Sequence, residues 1–249
     1  MAGACAVVSC HVEQLLADRA WSAFSDLQAR RPGGFEIAAL VRLPDPASDE
    51  SESLWLARAR ILAARGPFGL HTHWGGAQRA RPVGGEPAAL VREQVAWLDD
   101  RGLRPSLFGG GGWYMDERVA GALAELGVTD CTATAFRPSY LELGAPRLAL
   151  AEPARLRFGG GSESDSDSQT RALLELPATH SLGMAARAAL SRLPAYIHVY
   201  FHDTDLLDAG RRRALEWALR VIGRRRRPER LDRLHADVEL DFGAAAPAS

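Results

Sequence analysis

The stretch "PFGLHTHWGG", residues 67 to 76, decides how the chain is read. A short apolar run ends in two histidines one residue apart, and glycines follow at once. Either His71 and His73 hold something in a pocket, or they are two polar residues at a loop edge. The segments on either side carry the decision.

Working outward, the same order recurs. "ACAVVSC" (4–10) is a buried-strand pattern, and 13–31 has helical period. "FEIAALVRL" (35–43) is a second strand, with a helix over 53–66 after it. The quoted stretch supplies the third strand (67–73). A helix over 87–102 follows, with Val91, Val95 and Leu98 on one face. "PSLFGG" (105–110) is a fourth strand, and a helix over 116–127 lines up Val119, Leu123 and Leu126 before Gly127 stops it. "VTDCTATA" (128–135) is a fifth. Beyond it, "RLAL" (147–150) and "RLRF" (155–158) suggest a hairpin, and "GGGSESDSDS" (159–168) has nothing to bury and reads as a mobile loop. Strand 173–177, helix 182–193, strand 195–203 and helix 209–223 resume the alternation.

Strands alternating with helices imply a parallel sheet with crossover helices. A barrel and an open doubly wound sheet both satisfy this. No GxGxxG follows the first strand, and "FGGGGW" (108–113) lacks the Lys-Ser/Thr of a phosphate loop. A barrel-like α/β fold is therefore expected, as one domain over 1–242 with a flexible tail over 243–249.

With 249 residues the chain can bury a sizeable core. A formal net charge of −1 gives no pull toward nucleic acid or an acidic membrane surface. All the basic residues are arginine, which we read as a genome bias. Three cysteines form no CxxC pair, which argues against a disulfide framework and for a reducing cytoplasm. "MAGACAVVSC" has no basic leader, and no run approaches the roughly 20 apolar residues of a membrane span. No nucleic-acid or membrane partner is expected, and the oligomeric state is open.

In such folds the C-terminal ends of the strands build the site. Strand one ends in "SCHVE", giving His11 and Glu13; strand three ends in His71 and His73. The glycine run leads to Trp113 and Tyr114. "LPATHS" offers His180, and "HVYFHDTD" offers His198, His202, Asp203 and Asp205. Six of seven histidines thus fall at or near strand ends, with only His235 elsewhere. Plainer readings stand beside this one. Glu13 suits a helix N-terminus, Thr179 suits a helix cap, and the glycines suit a tight turn. A His/carboxylate cluster suits a divalent metal, because two imidazoles and a carboxylate are ordinary Zn²⁺ ligands that leave a position open for water.

Over roughly residues 5 to 207 the chain resembles the polysaccharide deacetylase superfamily, carbohydrate esterase family 4. "SCHVE" (9–13) stands at its acidic first motif and "HTHWG" (71–75) matches the start of its His-Ser/Thr-x-x-His motif. "FGGGGWY" (108–114) stands at its "FRxGGWY" motif and "HVYFHDTDLL" (198–207) at its late histidine motif. "ALAELGVTDCTAT" (122–134) is similar to the segment after the third motif. The resemblance implies an irregular seven-stranded β/α barrel and a metal-dependent hydrolase acting on an N-acetylated sugar or related amide, with a small-molecule or oligosaccharide substrate as its partner. Glu13 and His71 become metal ligands, His202 the catalytic acid, and Trp113, Tyr114, His180 and Asp203 substrate contacts. The chain departs from the family at three positions. His11 stands where an Asp base is usual, Gly75 where the second metal His is, and Gly109 where a bracing Arg is. His73 can replace the lost ligand, since residues i and i+2 of a strand share a face; His11 can serve as base or as ligand. The alternatives are a barrel that binds a glycan or metabolite without turnover, and a metal hydrolase of the amidohydrolase type, which also uses HxH at a strand end.

Overall fold

A computed structural model describes residues 4–77, 79–142, 145–158 and 172–245. The first half alternates as β1 (Cys5–Val12), α1 (Asp18–Arg30), β2 (Ala38–Val41), α2 (Glu52–Arg65), β3 (Phe68–Thr72), α3 (Pro87–Asp99), β4 (Leu107–Gly110), α4 (Glu117–Leu126) and β5 (Thr129–Asp130). The second half holds β6 (Ala154–Arg157), β7 (Ala172–Glu175), β8 (His180–Ser181), α5 (Leu182–Ala188), β9 (Tyr196–His202), α6 (Ala209–Arg225), β10 (Arg227–Pro228), β11 (Glu239–Asp241) and α7 (Phe242–Ala245). Sheet order is β11-β6-β7-β5-β4-β3-β2-β1-β9-β8, with β10 on β1. Every pairing is parallel except β6 with β7. This is the mixed α/β, mostly parallel architecture that the strand–helix alternation implies.

Alternating side chains divide the sheet into two faces. On β1, Ala6, Val8, Cys10 and Val12 pack against the helix layer with Phe24, Trp55, Leu62 and Phe201. Cys5 and Val7 face the other way, into a smaller cluster with Leu40, Leu107, Leu176 and Tyr196. Ser9 and His11 continue that second face toward the C-terminal end, in register with Tyr200 and His202 of β9. Apolar residues at the bottom and imidazoles at the top of one face place the polar end where parallel strands put their site.

Local chemistry explains the boundaries. The helix expected from residue 13 begins at Asp18, because the intervening turn is held elsewhere: Gln14 N–H donates to Asp203 Oδ2 at 2.8 Å. Glu13 is therefore not at a helix N-terminus. The strand expected over 128–135 ends at Asp130, whose Oδ1 accepts from the N–H groups of Cys131 and Thr132 and turns the chain out of the ladder. Segment 155–158 does not pair with 147–150. β6 instead runs antiparallel to β7 and parallel to β11, a strand that was not expected. Ser181, not Thr179, caps α5 by accepting from Met184 N–H, while Thr179 accepts from His198 N–H. Gly127 does close α4, at φ 68°. The expected loop over 159–168 lies outside the described residues. Of 243–249, residues 243–245 are helical with Ala245 buried, and the rest lies outside them. No helix among the described residues is long and apolar enough to cross a membrane.

The glycine run after β4 is set by close approach. A Cβ on Gly111 would lie 2.5 Å from Thr72 O and 2.6 Å from Ala80 O, both backbone atoms that cannot swing aside. Gly111→Ala is expected to cost about 1–3 kcal/mol through overpacking. A thermal unfolding scan checks this, and a melting temperature equal to wild type would show that the turn yields freely.

Candidate metal and catalytic site

Glu13, in the turn after β1, occupies the centre of the polar end. Its Oε1 lies 3.5 Å from His71 Nε2, 3.3 Å from His73 Nε2 and 3.6 Å from His202 Nε2. The ligand atoms of Glu13, His71 and His73 all lie within 4.8 Å of one another. His202 falls outside that set and is the more open, with 35% of its side chain exposed against 3% for His71 and 7% for His73. The HxH at the end of β3 thus does what its strand geometry allows, with both rings reaching the same carboxylate.

The backbone fixes the direction of both rings. His71 Nδ1 donates to Gly109 O and His73 Nδ1 to Ala77 O, each at 2.9 Å. A carbonyl only accepts, so Nδ1 carries the proton and Nε2 presents a lone pair, the tautomer a metal ligand needs. Ala77 is itself held by the Asp45 carboxylate, which accepts from Ala77 N–H. Burial works to raise the Glu13 pKa, but a proton on the Nε2 side of His71 or His73, or the charge of His202, outweighs it. The carboxyl is held well below its ordinary range. His71 is pushed below the ordinary imidazole value, by burial first.

These observations test whether a metal fits. Two imidazole lone pairs aimed at an ionised carboxylate oxygen repel unless something positive lies between them. Protonating His71 is opposed by its burial. Tetrahedral bonds of about 2.0–2.1 Å place neighbouring ligand atoms about 3.3–3.4 Å apart. The 3.3 and 3.5 Å separations from Glu13 Oε1 match that edge. The donor set fits a divalent cation.

His11 lies beneath this group, 4% exposed. Its ring stacks on His71 at 4.4 Å, meets His202 edge-on at 5.2 Å, and touches Trp113 and Tyr200. Burial, then the neighbouring His71 and His202, hold its pKa well below 6.5, so the ring is uncharged at neutral pH. The same packing accounts for Gly109. A Cβ there would stand 3.0 Å from Leu40 Cδ1, 3.6 Å from His71 Nδ1 and 3.7 Å from His11 Nε2. Leu40 and the two imidazoles thus crowd the position where a larger side chain would begin. Gly75 is likewise hemmed in, by Arg79.

The remaining residues singled out in the sequence are spread more widely. Trp113, at φ 59°, walls the site with Tyr200 at 4.8 Å. Phe136 lies parallel to Tyr200, at 6.0 Å and 11°. Tyr114 turns away. Its hydroxyl donates to Asp116 Oδ2 at 2.6 Å, and burial with that acid pushes its pKa up to about 12. Asp203 is fully buried and accepts from Gln14 N–H and Thr204 N–H, so it braces the Glu13 turn from behind. His180 is hydrogen-bonded to Thr179 Oγ1, and no ring contact joins it to the four clustered imidazoles among the described residues. His198 lies four residues below the mouth on β9, in register with Val7. It is hydrogen-bonded to Ser9 Oγ and Leu176 O and lowered by burial to about 4. Four of the six strand-end histidines therefore converge. Tyr200 and Phe136 were missed; Tyr200 was legible as the i−2 neighbour of His202 on one strand face, whereas nothing marked Phe136.

No family model matches the chain, and no curated protein matches it by sequence. Solved structures do. A Mycobacterium smegmatis protein inferred to be a polysaccharide deacetylase aligns over 95% of this chain and 96% of its own, at 15% identity and a TM-score of 0.56. A family 4 carbohydrate esterase from Streptomyces lividans, solved with acetate, aligns over 90% of each chain at 11% identity and a TM-score of 0.48. At these identities the likeness speaks for the fold, and through the first of the two the chain has a polysaccharide deacetylase-like α/β fold.

Proposed function

We propose that this protein is a metal-dependent hydrolase that removes the acetyl group from an N-acetylated sugar or related amide. The observation that carries the reading is the convergence of His71 and His73 lone pairs on the Glu13 carboxylate at the polar end of the sheet. A fold shared with a protein inferred to be a polysaccharide deacetylase supports a sugar substrate. Glu13, His71 and His73 would hold the ion, and two nitrogens with one carboxylate oxygen favour zinc. Such an ion, when bound, supplies Lewis acidity toward a carbonyl and toward water.

The chain's own residues do the rest. Gly109 and Ala77 carbonyls keep the two ligand rings oriented, so no tautomer must change as substrate arrives. Trp113, Tyr200 and Phe136 offer ring faces to a sugar and keep water from one side of the pocket. His11, held uncharged, is available to accept a proton from attacking water. His202, the most open imidazole of the group, protonates the amine as the C–N bond breaks.

The test starts with metal. Chelator-stripped protein is expected to take up about one equivalent of zinc at neutral pH. His71→Ala, with one ligand gone, is expected to bind about 10²–10³-fold more weakly. Acetate release from N-acetylated sugars should follow the bound metal. Wild-type uptake below about 0.1 equivalent would overturn the metal site. Full uptake with no acetate released from any N-acetyl sugar would make the protein a binder without turnover, the reading favoured by its lack of an arginine at Gly109.

A further inference from the structure

The peptide between Gly109 and Gly110 is held at both ends. It lies across β4, with its carbonyl toward β3 and its N–H toward β5. Gly109 O accepts from His71 Nδ1 at 2.9 Å, and Gly110 N–H donates to Thr132 Oγ1 at 2.7 Å. A further rung of the β4–β5 ladder would satisfy that N–H, but β5 leaves the sheet at Asp130 and the Thr132 side chain takes the place of the rung. Gly110 permits the approach: a Cβ there would stand 3.1 Å from Thr132 Cγ2 and 2.4 Å from Tyr114 O.

The donors along this path point one way. Thr132 Oγ1 receives the Gly110 hydrogen, so its own hydrogen goes to Asp130 Oδ1, 2.6 Å away. The same Oδ1 accepts from Thr132 N–H at 3.1 Å, which leaves Oδ2 as the seat of any proton on that acid. The path therefore runs from the Asp130 carboxylate through the Thr132 hydroxyl and the Gly109–Gly110 peptide to the His71 ring, whose Nε2 faces Glu13. Asp130, Thr132 and His71 are at most 2% exposed, so bulk water is kept from it. Hydrogen bonds in such a chain polarise one another. An acid at the far end makes Gly109 O a stronger acceptor, which holds the proton on His71 Nδ1 and raises the basicity of Nε2. On the His73 side, Asp45 Oδ2 accepts from Ala77 N–H at 3.4 Å, one peptide away from the carbonyl that orients the ring.

We propose that Thr132 is a positioning residue of the Glu13 site, relaying the Asp130 charge through the Gly109–Gly110 peptide to fix the tautomer and donor strength of His71. This rests on the metal reading of Glu13, His71 and His73. It also gives Gly110 a part in the site, since any side chain there would push Thr132 off the peptide.

Thr132→Val removes the hydroxyl and keeps the branched shape, and Thr132→Ser restores the hydroxyl. Asp130→Asn keeps an acceptor and removes the charge, so it probes the same relay without stranding Gly110 N–H should the valine variant not fold. Thr179→Val is the control, because the Thr179 hydroxyl also accepts from a buried backbone N–H, that of His198 at 2.8 Å, on a path that does not lead to His71. Two quantities are measured on chelator-stripped protein. One is zinc affinity, by competition with a chromophoric chelator. The other is the His71 Nδ1 proton resonance in ¹⁵N-edited NMR, assigned by its loss in His71→Gln. Thr132→Val should bind zinc about 10-fold more weakly, the lower end of the usual effect of groups that orient a metal ligand. Its Nδ1 proton should move upfield as the bond to Gly109 O weakens. Asp130→Asn should shift both in the same directions, Thr132→Ser should recover both, and Thr179→Val should leave both unchanged. An unchanged affinity or an unchanged resonance in Thr132→Val and Asp130→Asn would overturn the relay. So would a serine variant that recovers neither, or an equal loss in Thr179→Val, which would assign the effect to stability. If wild type itself takes up no zinc, the metal reading falls and the resonance alone decides. A shift that follows the hydroxyl then keeps the relay as a device that orients His71, and no shift overturns it.

Discussion

His202→Ala is expected to lower turnover by about 10²–10⁴ while leaving zinc uptake, fold and substrate binding nearly unchanged. The range is the usual weight of a positioned general acid. The separation of readouts follows from geometry. His202 Nε2 is 3.6 Å from Glu13 Oε1 but lies outside the tight set formed by Glu13, His71 and His73. Its loss should therefore remove a proton donor and not a ligand. A fall in kcat with little change in KM marks an interaction made only in the transition state. If zinc uptake falls together with turnover, His202 belongs to the metal. If neither changes and only stability drops, it is a strand-end residue whose ring pairs with the Asp205 carboxylate, Nδ1 to Oδ2 at 3.9 Å.

The second large effect lies in the floor of the sheet. Asp130 and Glu175 face one another in register across β5 and β7, both with no exposed surface. Asp130 Oδ1 accepts from Cys131 N–H, Thr132 N–H and the Thr132 hydroxyl, and that hydroxyl oxygen accepts in turn from Gly110 N–H. Asp130→Ala would strand two buried donors, Thr132 N–H and its hydroxyl, each costing about 1–3 kcal/mol, while Cys131 N–H keeps Phe108 O at 2.8 Å. The expected loss is about 3–5 kcal/mol, a drop of roughly 10 °C in melting temperature for a chain of this size. A free energy of unfolding, measured by denaturant titration, that falls by less than about 1 kcal/mol would show those donors satisfied elsewhere.

The pair also gives stability a pH dependence. Glu175 is held well above its ordinary range by burial and then by the Asp130 charge, and burial raises Asp130 as well. One shared proton between the carboxyls accounts for both directions. A raised folded pKa means the folded state keeps a proton that the unfolded chain has lost. The stabilisation is full below about pH 4.3, the unfolded carboxyl value, and is lost as pH rises through the folded value. Glu175→Gln keeps an acceptor for Ala133 N–H and a permanent donor toward Asp130. It should flatten that decline, which urea unfolding across pH 4 to 9 would register.

Much of this was legible because periodicity reports burial. β1, β3 and β9 carry alternating or continuous apolar residues, and their last residues before the turn are polar, so both the sheet and its mouth could be read from spacing. The positions of His11, His71 and His202 followed. What did not follow was anything decided by backbone partners. Nothing in "WGGAQRA" says that Ala77 O will orient His73, or that Leu40 will fill the space beside Gly109. Asp203 and Tyr114 looked like site residues by sequence distance. Their side chains were taken instead by Gln14 N–H and Asp116, partners that a one-dimensional pattern does not show. β5 and the antiparallel β6 failed for a related reason, since side-chain capture and pairing across an insertion override strand propensity.

The placement of β1 between β2 and β9 has a consequence for synthesis. β1 leaves the ribosome almost two hundred residues ahead of the strand that flanks it on one side. Until Tyr196–His202 arrives, the whole of that flank of β1 is an open row of unpaired N–H and C=O groups beside a largely apolar sequence. Asp203, which braces the Glu13 turn, arrives with the same late segment. Growing chains therefore carry a sticky, incomplete edge until that segment emerges, and the turn holding Glu13 is braced in the same event that seals it.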